Sequence, residues 1–184
     1  ALVDAAGMLF FRADDGVHGA EVWRSDGTAA GTVMAADINP APGIGSSPSS
    51  LAALGGTVFF AASDGANGSE LWKSDGMPTG TVLVKDINPG SAGSGPSGIV
   101  ALGGTVVFAA SETTNGRELW KSDGTNPGTV RVADINPGTA SSSPSGLVVM
   151  GGTLYFAALD AATGRELWKS DGTAAGTLLV ADIE

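Results

Sequence analysis

One seven-residue pattern occurs four times along this chain and constrains its fold more than any other feature. In every copy a glutamate stands two residues before a tryptophan, and a basic residue, a serine, an aspartate and a glycine follow. The tryptophans are 49, 48 and 48 residues apart, and they are Trp23, Trp72, Trp120 and Trp168. Self-similarity at such a period is typical of arrays built from one supersecondary unit. The sequence therefore predicts a single domain of four repeats of about 48 residues, at about 1–49, 50–97, 98–145 and 146–184.

Each repeat contains four short runs that favour β-strands and no run with the amphipathic period of a helix. In the third repeat these runs are residues 129–135, 98–102, 105–110 and 117–122. Gly103-Gly104 separates two of them and suits a tight hairpin turn, and the Ser-Asp-Gly sequence after each tryptophan indicates a second reversal. Both turns predict antiparallel strand neighbours. The corresponding hairpin pairs in the other repeats are Gly55-Gly56, Gly151-Gly152 and Ala6-Gly7.

The strand composition indicates how these sheets pack. Runs such as residues 81–84 and 106–110 are apolar on both faces, which is expected of a sheet that lies between two other sheets. Repeated four-stranded antiparallel units of this kind are typical of β-propeller blades. The sequence therefore predicts an all-β protein, a β-propeller of four four-stranded antiparallel blades.

The phase of the repeat suggests how the propeller closes. If the run at residues 81–87 and its equivalents form the inner strands, the chain ends with a lone inner strand at residues 177–183. That strand can pair with the N-terminal blade, which hides the sheet edges. It can equally complete the first blade of a second chain, giving a homodimer by strand exchange and an eight-bladed ring. Both closures use the same local pairing and stay open at this point.

Composition excludes several classes of partner and chemistry. The chain has 184 residues, 9 of them basic and 19 acidic, and its net charge of −10 disfavours nucleic acid and anionic membrane surfaces. No apolar run approaches the roughly 18 residues needed to span a bilayer, so we expect no membrane insertion. The chain has no cysteine, which excludes thiolate nucleophiles and thiolate metal sites.

The repeated text resembles a known bacterial family. Glu-Leu-Trp-Lys-Ser-Asp-Gly-Thr, followed by Gly-Thr, resembles the ELWxxDGT repeat family over essentially the whole chain. Departures are Val22 for leucine, Arg24 for lysine and Met77 for threonine. The resemblance implies a large repeat protein, secreted or displayed on the cell surface, with no assigned activity.

A second motif resembles the tryptophan-docking motif of quinoprotein dehydrogenase propellers, Ala-x-Asp-x-x-Thr-Gly-x-x-x-Trp. Its match consists of Ala158, Asp160, Thr163, Gly164 and Trp168. The resemblance implies a structural role in which the tryptophan ring packs between adjacent blades. A quinone site would need a further stacking tryptophan, Ca²⁺ with a catalytic aspartate and, in several members, a vicinal cysteine pair, so we expect no quinone cofactor. Structural roles are expected for the four tryptophans, for Gly19, Gly68, Gly116 and Gly164, and for Asp26, Asp75, Asp123 and Asp171.

Several acidic positions also recur. Glutamates two residues before each tryptophan share its strand face, and we expect them to bond a neighbouring blade, for instance through the basic residue after the tryptophan. Acids in the preceding loops are expected to accept backbone N–H bonds. The single histidine, His18, has no catalytic partners in the sequence, so no catalytic residue is predicted. The glutamates are Glu21, Glu70, Glu118 and Glu166, and the loop acids are Asp15, Asp64, Glu112 and Asp160.

A further set of acids ends the predicted inner strands, namely Asp37, Asp86, Asp134 and Asp182. On inner strands they would form a ring of carboxylates around the axis, and carboxylate with asparagine oxygens suits Ca²⁺. The alternative is that each aspartate caps the Asn-Pro turn that follows the first three. Calcium is the only cofactor that this pattern suggests.

The longest connections, residues 39–49, 88–97 and 136–145, are rich in glycine, serine and proline and are candidates for binding. They carry no aromatic residue on which a sugar could stack. We therefore expect a non-enzymatic structural or protein-interaction module that is secreted or lies at the cell surface. A Ca²⁺-dependent carbohydrate or matrix binder is the alternative, and a quinone-dependent dehydrogenase fragment is less favoured.

Overall fold

The computed structural model describes residues 1–183, and the last residue of the fourth repeat, Glu184, lies outside the described residues. The chain divides into two compact units, residues 1–96 and 97–184. Sixteen strands form four antiparallel sheets, and residues 1–183 include no α-helix. Within that described range, no helix is long and apolar enough to cross a membrane.

The first unit contains two four-stranded sheets whose strands follow one another in chain order. The first sheet comprises β1 (Leu2–Ala5), β2 (Met8–Asp14), β3 (Ala20–Ser25) and β4 (Val33–Ala36). The second comprises β5 (Ser49–Leu54), β6 (Thr57–Ser63), β7 (Ser69–Ser74) and β8 (Val82–Lys85).

The second unit has the same organisation. Its third sheet comprises β9 (Ser97–Leu102), β10 (Thr105–Glu112), β11 (Gly116–Ser122) and β12 (Val130–Ala133). Its fourth comprises β13 (Ser145–Met150), β14 (Thr153–Asp160), β15 (Gly164–Ser170) and β16 (Leu178–Ala181). The prediction of four four-stranded antiparallel blades is confirmed.

The first strand of each sheet, and not the last, lies innermost. In the first unit β1 contacts β5 and β6, and in the second β13 contacts β9, so the two sheets of each unit approach most closely at their first strands. Blades of a propeller converge toward the axis and diverge at the rim. The assignment of residues 81–87 and their equivalents to inner strands is therefore wrong: β4, β8, β12 and β16 are the outer strands.

The C-terminal strand completes its own sheet. Leu179 of β16 lies opposite Trp168 of β15, and Ala181 lies opposite Leu167. The prediction that this strand pairs with the N-terminal blade is wrong, because the tight turn after β15 returns the chain directly alongside that strand. The same pairing removes the lone strand on which the eight-bladed ring and the strand-exchanged homodimer depended.

Side-chain hydrogen bonds fix the turn between the third and fourth strands. In the third sheet Asp123 Oδ1 accepts bonds from the Thr125 backbone N–H at 2.8 Å and from its hydroxyl at 2.7 Å. Thr125 Oγ1 in turn accepts the Gly128 N–H at 3.0 Å. A Cβ atom at Gly128 would lie only 2.1 Å from Asp123 Oδ1, so a side chain there would displace the carboxylate that holds this turn. Asp26 and Asp171 make the same bonds to Thr28 and Thr173.

The second sheet shows what the threonine contributes, because Met77 replaces it. Met77 has no hydroxyl to accept the Gly80 N–H, which instead donates to the Met77 carbonyl at 3.0 Å. Residues Pro78–Gly80 form a 3₁₀ turn as a result. Proline suits this first helical position because its fixed φ is already helical and no N–H is needed there.

Each unit has an apolar core between its two sheets. In the second unit Leu119 and Val132 pack with Phe156 and Trp168. In the first unit Val22 packs with Phe60, and Trp72 lies against the same cluster. In both units, the face of the later sheet that carries its tryptophan therefore packs on the earlier sheet. The contacted face of the earlier sheet carries the residue directly before that sheet's own tryptophan.

Truncation of Phe156 should destabilise the fold. Its side chain is 1% exposed within the core of the second unit. Phe156→Ala should lower the free energy of unfolding by about 3–5 kcal/mol, measured by urea denaturation. Val148→Ala is the control, because Val148 is 59% exposed, and it should change stability by less than about 0.5 kcal/mol. Equal effects of the two substitutions would contradict this packing.

Candidate functional site

Three of the four recurring glutamates are fully buried. Glu21, Glu70 and Glu118 expose none of their surface. Each lies near the start of the third strand of its sheet, two residues before the tryptophan. Burial of a carboxylate costs several kcal/mol unless hydrogen-bond donors replace water. The partners of these carboxylates therefore determine the role of this position.

The donors to Glu118 come from the loop that leads to the next sheet. Glu118 Oε1 accepts the backbone N–H of Ser142 at 2.7 Å. Glu118 Oε2 accepts the Ser142 hydroxyl at 2.6 Å and the Ile135 N–H at 3.0 Å. Three bonds thus join one strand to two points of the loop between β12 and β13. We call this arrangement of a buried glutamate and the serine of the following loop a glutamate latch.

Both sheets of the first unit have the same latch. Glu70 accepts the Ser94 N–H at 2.7 Å, the Ser94 hydroxyl, and the N–H groups of Ile87 and Asn88, both at 3.1 Å. Glu21 accepts the Ser46 N–H at 2.7 Å and the Ser46 hydroxyl. The latch is therefore a repeated element that ties each loop to the sheet before it.

The glycines that stand four residues before each tryptophan, which we call the docking glycines, allow the loop to approach. A Cβ atom at Gly19 would lie 2.2 Å from the Gly45 nitrogen, and one at Gly68 would lie 2.5 Å from the Gly93 nitrogen. Both glycines also have positive φ angles, +72° and +66°. Only glycine fits such a position, where the backbone is left-handed and another chain segment lies in contact.

The fourth repeat contains only part of a latch. Glu166 is 9% exposed and accepts the Ile183 N–H at 3.1 Å, its one hydrogen bond within residues 1–183. Among the atoms of residues 1–183, none lies within 4 Å of the position that a Cβ would take at Gly164.

These contacts revise the expectation for the glutamates. Their partners are loop N–H and hydroxyl groups, and neither the basic residue after the tryptophan nor a neighbouring blade supplies them. The long loops, which the sequence made candidates for binding, are each held by a latch. The residues that sequence reasoning missed are Ser46, Ser94 and Ser142. A signal existed, since each serine follows its glutamate by 24 or 25 residues and stands two residues before a proline.

Burial shifts the pKa of two latch glutamates. Loss of water raises the pKa of Glu70 and of Glu118, while the serine and backbone donors act in the opposite direction. These two carboxylates are therefore easier to protonate than exposed glutamates.

The loop acids behave largely as expected. Asp15 accepts the N–H groups of Val17 and His18, both at 2.9 Å, and Asp64 and Asp160 make similar bonds. Asp15 Oδ2 also lies 2.7 Å from His18 Nδ1. The backbone N–H of His18 and then its side chain lower the pKa of Asp15, and the hydrogen bond to Asp15 raises the pKa of His18. The histidine therefore has a partner that the sequence analysis did not assign.

Glu112 differs from the other loop acids. It pairs with Arg131 across 3.6 Å, and Arg131 also lies 3.4 Å from Asp134 Oδ1. The other oxygen of Asp134 accepts the Asn115 side-chain N–H at 3.3 Å. The end of the fourth strand and the acidic loop before the tryptophan strand therefore lie together in the third sheet.

The predicted position of the four carboxylates, in a ring around the axis, is wrong. The four aspartates follow the outer strands, and they are Asp37, Asp86, Asp134 and Asp182. Within residues 1–183 no three histidine or acidic side chains lie close enough to hold a metal ion. Calcium binding by these residues stays a prediction.

Comparison with known proteins supports the fold. A family model described as outer membrane protein assembly factor BamB matches residues 103–184, and no curated protein matches the sequence. This match is consistent with the β-propeller architecture that the tryptophan-docking resemblance implied.

Solved structures that resemble this chain include a β-propeller domain. Similar folds occur in an acylaminoacyl peptidase of Pyrococcus horikoshii (13% identity, TM-score 0.61, 99% of this chain and 27% of that chain). They also occur in the β-propeller domain of the Trilobed protease of Pyrococcus furiosus (13% identity, TM-score 0.61, 99% of this chain and 54% of that chain). A putative TolB of Agrobacterium tumefaciens has a similar fold as well (10% identity, TM-score 0.53, 96% of this chain and 62% of that chain). The chain thus spans less than two thirds of each, and identities this low show the fold alone.

Removal of a latch hydroxyl should cost stability. Ser142→Ala deletes a donor to the buried Glu118 carboxylate. The free energy of unfolding should fall by about 1–3 kcal/mol, measured by urea denaturation. Thr139→Ala in the exposed part of the same loop is the control and should change it by less than about 0.5 kcal/mol. A serine variant as stable as the control would show that the latch does not hold the loop.

The latch also predicts a pH dependence. Because the pKa of Glu118 is raised, the folded chain binds this proton more tightly than the unfolded chain does. This contribution is present below about pH 4.5, the ordinary glutamate value, and is lost as the pH rises through the folded pKa. The stability of wild type relative to Glu118→Gln should therefore decrease from acid to neutral pH in urea denaturation. An increase would mean that the hydrogen bonds donated to Glu118 lower its pKa by more than burial raises it.

Proposed function

We propose that this chain is a non-enzymatic structural and protein-interaction module of the ELWxxDGT repeat type, from a bacterial protein that is secreted or lies at the cell surface. The repeated text supports the family, and the match to a family described as an outer membrane assembly factor supports a role in the cell envelope. The recurring buried glutamates are engaged in latches, which supports a structural and not a catalytic use of these acids.

An uncovered apolar face carries the proposal. Leu167 of β15 is 40% exposed, whereas the equivalent Val22 and Leu119 are fully buried between sheets. The strand register places Val148, Met150 and Leu178 on the same face, and all three are exposed. An apolar sheet face of this kind favours a protein partner.

The packing inside each unit indicates which surface fits this face. There the covering surface is a tryptophan-bearing sheet face, as with Trp168 and Phe156 on Leu119. The first sheet carries such a face with Trp23 and Phe11, and Phe11 is only partly buried although the equivalent Phe60 and Phe156 are fully buried. The Leu167 face of one chain is therefore complementary to the Trp23 face of a second copy, in a head-to-tail contact.

Light scattering coupled to size-exclusion chromatography tests this assembly. The mass of the wild-type chain should rise above 18.1 kDa with concentration, and Leu167→Lys should hold it at 18.1 kDa because a charge enters the apolar contact. Val17→Lys is the control, since Val17 is 65% exposed in a loop, and it should associate like wild type. A wild-type mass of 18.1 kDa at every concentration would contradict the assembly. Association that requires Ca²⁺ would favour the calcium-dependent alternative.

A further inference from the structure

The turn between the third and fourth strands of the second sheet leaves one aspartate with fewer hydrogen bonds than its equivalents. In the other three sheets this aspartate accepts both the N–H and the hydroxyl of one threonine, as Asp123 does with Thr125. Within residues 1–183 Asp75 accepts one bond, from the Met77 N–H at 2.8 Å, because methionine has no hydroxyl. A carboxylate can accept about four hydrogen bonds. The exposed Asp75 therefore has more capacity left for a ligand than the other three aspartates.

A cavity borders this carboxylate within the first unit. Its volume of about 310 Å³ is at the lower end of the range for small-molecule sites, about 300–1,000 Å³. Lys73 and Val82 lie opposite each other in the pairing of β7 with β8, and the turn that joins these strands supplies three more lining residues. The lining residues are Thr57, Lys73, Asp75, Thr79, Gly80 and Val82.

The lining combines groups of different hydrogen-bonding character. The Asp75 carboxylate accepts hydrogen bonds, and the Lys73 ammonium donates several, so it can bond a ligand beside its contact within the protein. The Thr57 and Thr79 hydroxyls both donate and accept. Val82, which is 38% exposed, adds an aliphatic wall. A ligand that fits this lining has several hydroxyl groups with C–H groups between them.

The two opposite charges in this small cavity disfavour a ligand with a net charge. An anion would be repelled by Asp75 and by the net charge of −10, and a cation would be repelled by Lys73. A simple zwitterion such as alanine matches the two charges but has no hydroxyl group for the two threonines. The hydroxyls of a neutral polyol donate to a carboxylate and accept from an ammonium, and such charge-assisted hydrogen bonds are the stronger ones.

We propose that the cavity beside Asp75 is a binding site for a neutral sugar. A sugar hydroxyl takes the place of the threonine hydroxyl that is missing at Met77 and donates to Asp75. Other hydroxyls bond Lys73 and Thr79, and the C–H groups of the ring contact Val82. The site uses no Ca²⁺, and it does not depend on the head-to-tail assembly.

Titration of the ¹⁵N-labelled full chain with D-glucose, D-galactose and D-mannose tests the site. At least one of these sugars should give saturable amide shifts at Asp75, Thr79 and Gly80, with a Kd on the order of 1–10 mM, as expected for a small ligand without an aromatic platform. The shifts should persist in excess EDTA, and the free amino acid alanine should cause none. Absence of saturable shifts with all three sugars, their loss in EDTA, or saturable shifts with alanine would overturn the proposal.

Met77→Thr is the sharpest variant, because it introduces the residue that the other three repeats have. Its hydroxyl should bond Asp75 as Thr125 bonds Asp123, and the sugar should bind about 5-fold more weakly. Met150→Thr makes the same change at a 64% exposed position of the second unit and should bind sugar like wild type. Asp75→Asn should weaken binding about 10-fold, because a neutral amide replaces the charged acceptor. Equal affinities of wild type and both site variants would place the sugar elsewhere and overturn the proposal.

Discussion

Burial of a carboxylate in every repeat is the constraint on which the course of the connecting loops depends. A buried glutamate must receive hydrogen bonds, and in three repeats the loop to the next sheet supplies them through one serine and through a backbone N–H of the Asp-Ile-Asn segment. The loop consequently runs against the docking glycine, where a side chain would collide with it. The glutamate, the glycine and the serine form one structural unit, although they are far apart in the sequence.

The second constraint is the apolar character of both faces of each sheet. Inside a unit, the face with the tryptophan of one sheet covers the face with the leucine or valine of the other. In the fourth sheet Leu167 and Val148, on one such face, are exposed. The apolar faces that stabilise the sheets inside each unit are therefore also the kind of surface that favours a protein partner.

The sequence predicted those parts of the fold that depend on local chemistry. The predictions of strands β10 and β11 and of the Ser-Asp-Gly turn were correct. The residue pattern of a strand and the residues of a turn act over only a few positions of the chain. The radial order of the strands was not predicted, because runs such as residues 81–84 are apolar on both faces wherever they lie in the blade. The wrong closure of the C-terminal strand and the misplaced ring around Asp134 both followed from that error. The role of Ser142 was missed because its partner, Glu118, is 24 residues away.

Amide hydrogen exchange at Ser142 tests the central claim most directly, because its backbone N–H is the donor to the buried Glu118 carboxylate. Loop amides that contact only water exchange rapidly, whereas amides that open only with the fold are protected by several orders of magnitude. The latch predicts that the Ser142 amide exchanges as slowly as amides in the central strand β10. Exchange of Ser142 as fast as that of the exposed Thr139 would contradict the account.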